Sequence, residues 1–396
     1  MAAVTAPVDP GLYGDIRRFG GGDVTACFSC GTCTATCPLV AEDGTFPRRI
    51  IRYAQVGMKD ALLSSKELWT CYQCGECSDS CPTKADPSEF MAAARRYAIA
   101  GYDRTRVART MYTQPILATI IAVALALFFA LFMYSAHGPQ SGETLAIFTF
   151  IPEELIHNTG IVVMIVVLLA GIAGVATMAR AIARREGVSL RSVVGGRAAL
   201  GRTARALRFA VAREAIGQAR FREDCDADQQ ALPLLRRRWL IHALVVWGFI
   251  GLLGATGLDY GLALVGIKET GAPVPLWYPV RLLGTVAGAA LLYGTTFLII
   301  DRYRAATRAV RSSTTADWML LVLLWVTGAT GFALELALYL PSAPAWGYWV
   351  FLLHVAVALE LVLLAPFMKL AHAVYRPVAL FFVALARDSA REGVTP

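Results

Sequence analysis

The chain has 396 residues, 56% of them hydrophobic, a net charge of +8 and a mean hydropathy of +0.53. At least six segments approach or exceed the ~18 apolar residues that read as membrane spans, which excludes an ordinary soluble domain. The positive charge does not point to nucleic acid, because the arginines lie between apolar segments, where membrane topology explains them.

Residues 1–26 are rich in Ala, Gly and Pro and read as an arm that orders on binding or is partly flexible, without chemistry of its own. They show no basic stretch followed by an apolar core of the secretory kind, so a disulfide framework is not expected. The first cysteine run follows: Cys27, Cys30, Cys33 and Cys37, closed by Pro38. It recurs 44 residues later as Cys71, Cys74, Cys77 and Cys81, closed by Pro82. Spacings of two, two and three residues before a proline are the ligand run of bacterial two-cluster ferredoxins, in which the fourth cysteine serves the other cluster. Cys27, Cys30, Cys33 and Cys81 are therefore expected on one 4Fe–4S cube, and Cys71, Cys74, Cys77 and Cys37 on the second. Gly31 and Gly75 let the backbone pass close to inorganic sulfide. Structural zinc is the competing reading, but zinc sites pair their cysteines and do not need a third in each run.

Between the runs, the pattern of Ile50, Ile51, Ala54, Met58, Leu62 and Leu63 is helical over 47–69, and a further helix is expected over 87–100. Trp69, just before Cys71, is expected to pack over a cluster. The fold class is thus all-α: an N-terminal helical two-cluster ferredoxin domain (1–110), then a six-helix transmembrane bundle (111–376), then a cytoplasmic tail (377–396).

Spans are expected at 116–134, 157–179, 239–260, 280–300, 318–339 and 348–371. The connection 180–238 carries 14 arginines and the segment 301–311 carries four, whereas the loops at 135–156 and 340–347 carry none and that at 261–279 only Lys268. The positive-inside rule then puts both termini and the cysteine domain in the cytoplasm, with the protein in the inner membrane. Within the basic loop, residues 198–221 read as a helix able to lie on anionic lipid or an acidic partner, or as a solvated stretch that merely sets orientation. Cys225 in this loop reads as an ordinary reduced thiol.

Polar groups inside a membrane are costly, so those present point to function. His354 and His372 stand 18 residues apart, about 27 Å along one helix at 1.5 Å per residue, on one face. Two b haems stacked across a bilayer need ligands so placed. His242, at the inner end of the third span, matches His372 in depth, and His157, at the outer end of the second, matches His354. His137 reads as solvated. Arg281 is a candidate partner for haem propionates, or a side chain that snorkels to the surface. Glu360, mid-span, is a candidate for quinone-linked protons, with Glu335, Asp259 and Lys369 nearer the ends. Gly248, Gly251, Gly254 and Gly257, with Gly284 and Gly288, permit close helix contact or room for a porphyrin.

These residues carry a family resemblance. The cysteine domain is similar to the C subunit of heterodisulfide reductase, and the histidines 18 apart on the last span are similar to those of its E subunit and of the gamma subunit of respiratory nitrate reductase. One chain joining the two resembles the membrane subunit of the quinone-interacting membrane-bound oxidoreductase, the QmoC family, from Cys27 to Arg376. In the gamma pattern a second histidine lies ten residues from the first on an early helix. Here Leu232 and Leu252 stand at those distances from His242, so the second haem relies on His157.

The resemblance implies a subunit of a quinone-linked oxidoreductase complex, without catalytic residues of its own. It would pass electrons between a menaquinone-type quinone and cytoplasmic flavin and iron–sulfur subunits similar to heterodisulfide reductase A, which serve adenylylsulfate reductase. Two other readings stand beside it: the membrane subunit of a heterodisulfide reductase-like complex, and a redox-regulated membrane protein without haem.

Overall fold

The computed structural model describes residues 7–40, 46–189, 193–222, 231–267, 274–305, 310, 313–340, 342 and 344–392, and among these every regular element is helical. Cys225 and Lys268 lie outside the described residues.

The N-terminal part is built from α1 (Leu12–Arg17), α2 (Thr32–Ala35), α3 (Arg48–Gln55), α4 (Lys59–Leu63), α5 (Glu67–Thr70), α6 (Glu76–Asp79), α7 (Pro87–Tyr102) and α8 (Val107–Thr113). Its core gathers Leu12, Ile16, Phe19, Ile50, Phe90, Ala94 and Tyr97. The expected N-terminal arm is therefore corrected from residue 12 onward: Leu12, Ile16 and Phe19 are fully buried. They are held there because Gly57 has a φ of +76° and no Cβ, so the Asp9 backbone can approach and donate to the Gly57 carbonyl at 2.8 Å. That same glycine ends α3, so the single helix expected over 47–69 is three short ones. α7 starts as the sequence indicates, with Pro87 in its first turn and the Asp86 carboxylate accepting from the Glu89 amide at 3.3 Å.

The remaining elements are α9 (Pro115–Tyr134), α10 (Ile147–Phe150), α11 (Glu153–Arg185), α12 (Arg197–Leu207), a π-helical stretch Arg208–Ile216, α13 (Ala219–Arg222), α14 (Arg238–Leu264), α15 (Pro279–Tyr303), α16 (Thr315–Tyr339), α17 (Ala345–Leu364) and α18 (His372–Arg391). Among the described residues seven helices are long and apolar enough to cross a membrane, one more than expected from the sequence. The extra one arises at Pro366. Proline lacks the N–H that would continue the ladder and clashes with the preceding turn. Ala365–Phe367 and Lys369–Ala371 are 3₁₀ turns on either side of an extended Met368 (φ −117°, ψ −174°), and the chain restarts as α18. His354 and His372 therefore sit on different helices, and the expected placement on one helix face is lost.

α17 is the centre of the bundle. Over half of its apolar window (56%) is buried, against 17–28% for the five long helices before it. It packs on α9, α11 and α16, while α15 joins α16 to α14. Side chains such as Ile116, Leu131 and Leu169 face outward at 65% exposure or more, a surface that suits lipid.

α14 and α15 approach most closely at Gly248 and Gly294. A Cβ on Gly248 would lie 2.7 Å from the Ala287 carbonyl oxygen and the Leu291 amide nitrogen. The inner part of the glycine stripe thus serves helix contact, whereas Gly254 and Gly257 face open space. Gly248→Ala is expected to destabilise the protein by about 1–3 kcal/mol through overpacking. A thermal melt in detergent checks this, and an unchanged midpoint would refute the close contact.

The cysteine domain is fastened to the bundle by polar bonds. Arg185, at the end of α11, donates to the Ala61 carbonyl at 2.5 Å and the Tyr53 hydroxyl at 2.7 Å, and Lys66 pairs with Glu186 at 2.8 Å. Arg96 of α7 pairs with Asp317 of α16 at 3.3 Å, and Lys369 reaches the same carboxylate at 3.4 Å.

Candidate iron–sulfur and histidine sites

The two cysteine runs adopt one backbone twice. Ser29 and Gln73 have φ of 60° and 59°, Gly31 and Gly75 have φ of 92° and 104°, and each glycine opens a one-turn helix. The positive φ at the glycines is where a side chain would strain the turn. The copies meet at equivalent positions: the Thr36 and Ser80 hydroxyls, 44 residues apart, lie 3.0 Å from each other.

Around this axis lie two cavities. Cys27, Cys30, Cys33 and Cys81 line the first, of about 310 Å³ including its open mouth, together with Phe28, Gly31, Arg48 and Pro82. Cys37, Cys71, Cys74 and Cys77 line the second, of about 390 Å³, with Phe46, Tyr72 and Met91. Each cavity thus takes three cysteines from one run and the last cysteine of the other. The eight are thiols, not disulfides. Among the described residues no three His, Cys, Asp or Glu side chains converge closely enough for a single metal ion.

The electrostatics suit a cationic occupant. Burial pushes the Cys77 thiol far up, and the neighbouring Cys71, Cys74, Cys33 and Cys37 raise it further. Burial likewise raises Cys33. Thiolates so crowded need the positive charge of metal to stay deprotonated. Cys30, at the rim, is lowered by the Thr32 hydroxyl at 3.3 Å.

The cavities face different ways. Phe28, beside the first, is 66% exposed. The second is turned toward the membrane half, where Arg95 and Arg376 both donate to the Cys71 carbonyl, at 2.7 and 3.1 Å. Trp69 does not line either cavity; it packs among Tyr102 and Tyr375 at 6.2 and 5.3 Å between ring centres.

One helical turn before Arg376, His372 lies 6.1 Å from His242 between ring centres, at 52° between planes. Two metal–nitrogen bonds of about 2 Å, with half a ring at each end, span such a gap. In both rings Nδ1 is engaged, in His372 with the Lys369 carbonyl at 2.5 Å and in His242 with the Gln218 side-chain oxygen at 3.2 Å. A carbonyl only accepts, so His372 Nδ1 carries the proton and Nε2 keeps its lone pair. Phe221 lies between this pair and the second cavity, 5.3 Å from His242 and 6.5 Å from Tyr72.

His157 and His354 share no ring contact among the described residues. His157 packs on Tyr260 at 4.2 Å, beside Glu153. His354 Nδ1 lies 3.0 Å from the Thr330 hydroxyl, and Gly331 leaves room for its ring. Arg281 pairs with Glu335 at 3.2 Å and covers Tyr339, so its charge is matched within the bundle. Glu360 is 1% exposed, and its Oε1 has no hydrogen-bond partner among the described residues. His137 is exposed but stacks on Tyr134 at 4.1 Å.

Comparison with known proteins agrees with this division. A 4Fe–4S dicluster domain model matches residues 23–85. Over 62 residues, or 16% of the chain, the sequence is 40% identical to the C subunit of the H(2):CoB-CoM heterodisulfide,ferredoxin reductase of Methanothermobacter thermautotrophicus, covering 34% of it. Over 46 residues (12%) it is 44% identical to the iron–sulfur C subunit of the CoB–CoM heterodisulfide reductase of Methanopyrus kandleri, covering 24%. The chain thus spans about a third or less of the length of these curated relatives. Citrate utilization protein B of Escherichia coli is 26% identical over 169 residues, 42% of each chain. No solved structure gives a significant match. The family model for citrate utilization protein B matches residues 116–393, more than half of the chain, and the chain belongs to that family.

Proposed function

We propose that the protein is a membrane electron-transfer subunit linking a soluble redox partner, through two 4Fe–4S clusters and a b haem, to a menaquinone-type quinone. The observation that carries this reading is the placement of the His242–His372 pair against the second cysteine cavity, with Arg376, Tyr72 and Phe221 between them. When bound, the clusters and haem supply one-electron carriers. The cysteines hold the two cubes, Arg95 and Arg376 fix the Cys71 peptide, and His242 and His372 supply two imidazole nitrogens toward one metal. Six helices then cross the bilayer, and α18 lies along its cytoplasmic face. Its far end supports that placement: Glu392 pairs with Arg202 and Arg205 of the arginine-rich α12 at 2.9 and 2.7 Å.

A partner bearing flavin or iron–sulfur centres would meet the first cavity at its open rim, by Phe28 and Cys30. The resemblance to the Qmo membrane subunit makes that partner a protein similar to heterodisulfide reductase A that serves adenylylsulfate reductase. The family to which the chain belongs carries a name that points to citrate utilization instead. Co-purification of the partner decides between the two. An outer haem on His157 and His354 has less support, since those rings lie against Tyr260 and Thr330.

A reduced-minus-oxidised spectrum of the whole chain in detergent tests the haem, and iron and sulfide determination tests the clusters. About eight non-haem irons per chain and a b-type Soret band are expected. A folded, iron-loaded protein without that band would overturn the haem assignment. Cys37→Ser is expected to remove iron from the second cavity alone, leaving about four non-haem irons per chain. Loss confined to the first cavity would contradict the crossed ligand sets.

A further inference from the structure

We infer that Gln218 is the positioning residue for His242, fixing its tautomer so that Nε2 is free to bind metal. This rests on reading His242 and His372 as haem ligands. Gln218 is 5% exposed and its side-chain oxygen lies 3.2 Å from His242 Nδ1. Its φ is +49°, a conformation that side-chain-bearing residues rarely adopt and that persists where the surroundings enforce it.

The local sequence explains how that strain is imposed. The π-helical turns Arg208–Ile216 end at Gly217, where a Cβ would stand 2.8 Å from the Arg213 carbonyl oxygen, so the chain turns tightly there. π-Helical segments recur at functional sites. α13 begins at once after Gln218, whose carbonyl accepts from the Arg222 amide at 2.9 Å. Held from both sides, the residue delivers its amide to His242, while Phe221, one turn on, covers the edge of the same ring.

The chemistry of the two histidines differs at this point. His372 is fixed by a backbone carbonyl, which has only one role to offer. A glutamine amide offers two. With its oxygen toward Nδ1 it accepts, and His242 Nε2 carries a lone pair. With its nitrogen toward Nδ1 it donates, and Nε2 is blocked by a proton. The structure assigns the oxygen toward Nδ1, which is the ligating arrangement, and the Gln218 amide nitrogen is buried without a hydrogen-bond partner among the described residues. The basic loop therefore does more than set orientation in the membrane.

The test is a pair of variants of the full chain in detergent or nanodiscs, read by haem retention, midpoint potential and the low-spin electron paramagnetic resonance signal. Gln218→Glu can only accept when ionised, which makes the imidazole a stronger donor. It is expected to retain haem and lower the midpoint. Gln218→Leu removes the bond and is expected to weaken haem binding by about 10–100-fold and raise the midpoint of what remains. Shifts in the same direction, or an unchanged midpoint in both, would overturn the inference while leaving the ligand assignment standing. Absence of haem from the unaltered protein would overturn both.

Discussion

Replacing His372 with alanine is expected to abolish the low-spin b-type signal and to stop reduction of the clusters by quinol. Among the described residues only these two imidazoles meet, at 6.1 Å, and each has its Nδ1 already engaged. Haem affinity should fall at least about tenfold, the lower bound for disturbing even an outer partner of a ligand. His354→Ala is the matched control. His354 lies against Thr330 on a different helix and is expected to leave the inner signal unchanged. Should the two variants behave alike, the pairing of His242 with His372 is wrong. Retention of the full signal in His372→Ala would also remove the proposed route from the second cubane into the membrane half.

The second large effect is expected at Asp317. This carboxylate is 2% exposed, caps α16 together with Thr314, and faces Arg96 from the cysteine domain and Lys369 from the break before α18. Asp317→Ala leaves two cations without their counter-charge, a change that costs about 3–5 kcal/mol when a buried pair loses one member. The melting temperature in detergent should fall steeply, and protease should then cleave between α7 and α9. Replacing Arg96 and Asp317 together by apolar residues of similar size should cost less than Asp317→Ala alone, because one buried cation rather than two then loses its counter-charge. A loss under about 1 kcal/mol for Asp317→Ala would place the pair in the range of exposed ion pairs and sink the docking account.

The cysteine chemistry was legible because it is local. Three of the cysteines that line each cavity fall within seven residues, so Cys27 to Cys33 and Cys71 to Cys77 announce themselves by spacing, and the proline after the fourth cysteine marks its turn to the other cavity. Apolar runs announce the long helices for a similar reason. What depends on neighbours was not legible. Arg281 finds Glu335 only once α15 and α16 are known to lie side by side, and nothing in the residues around Gln218 marks it as a partner of His242. Pro366 was a visible signal, but the uninterrupted apolar stretch around it outweighed it, and the expected helix ran through to residue 371. The N-terminal residues were misread because Leu12, Ile16 and Phe19 are too sparse to form an apolar run, yet each fills the core completely.

The grip of Arg376 on the Cys71 carbonyl bears on biogenesis. The guanidinium and His372 share one turn, so the imidazole is brought to its final position by the same stretch that must find the cubane loop already shaped. If the histidine pair takes haem as proposed, porphyrin capture is expected to follow cluster insertion, a form of proofreading written into the order of manufacture.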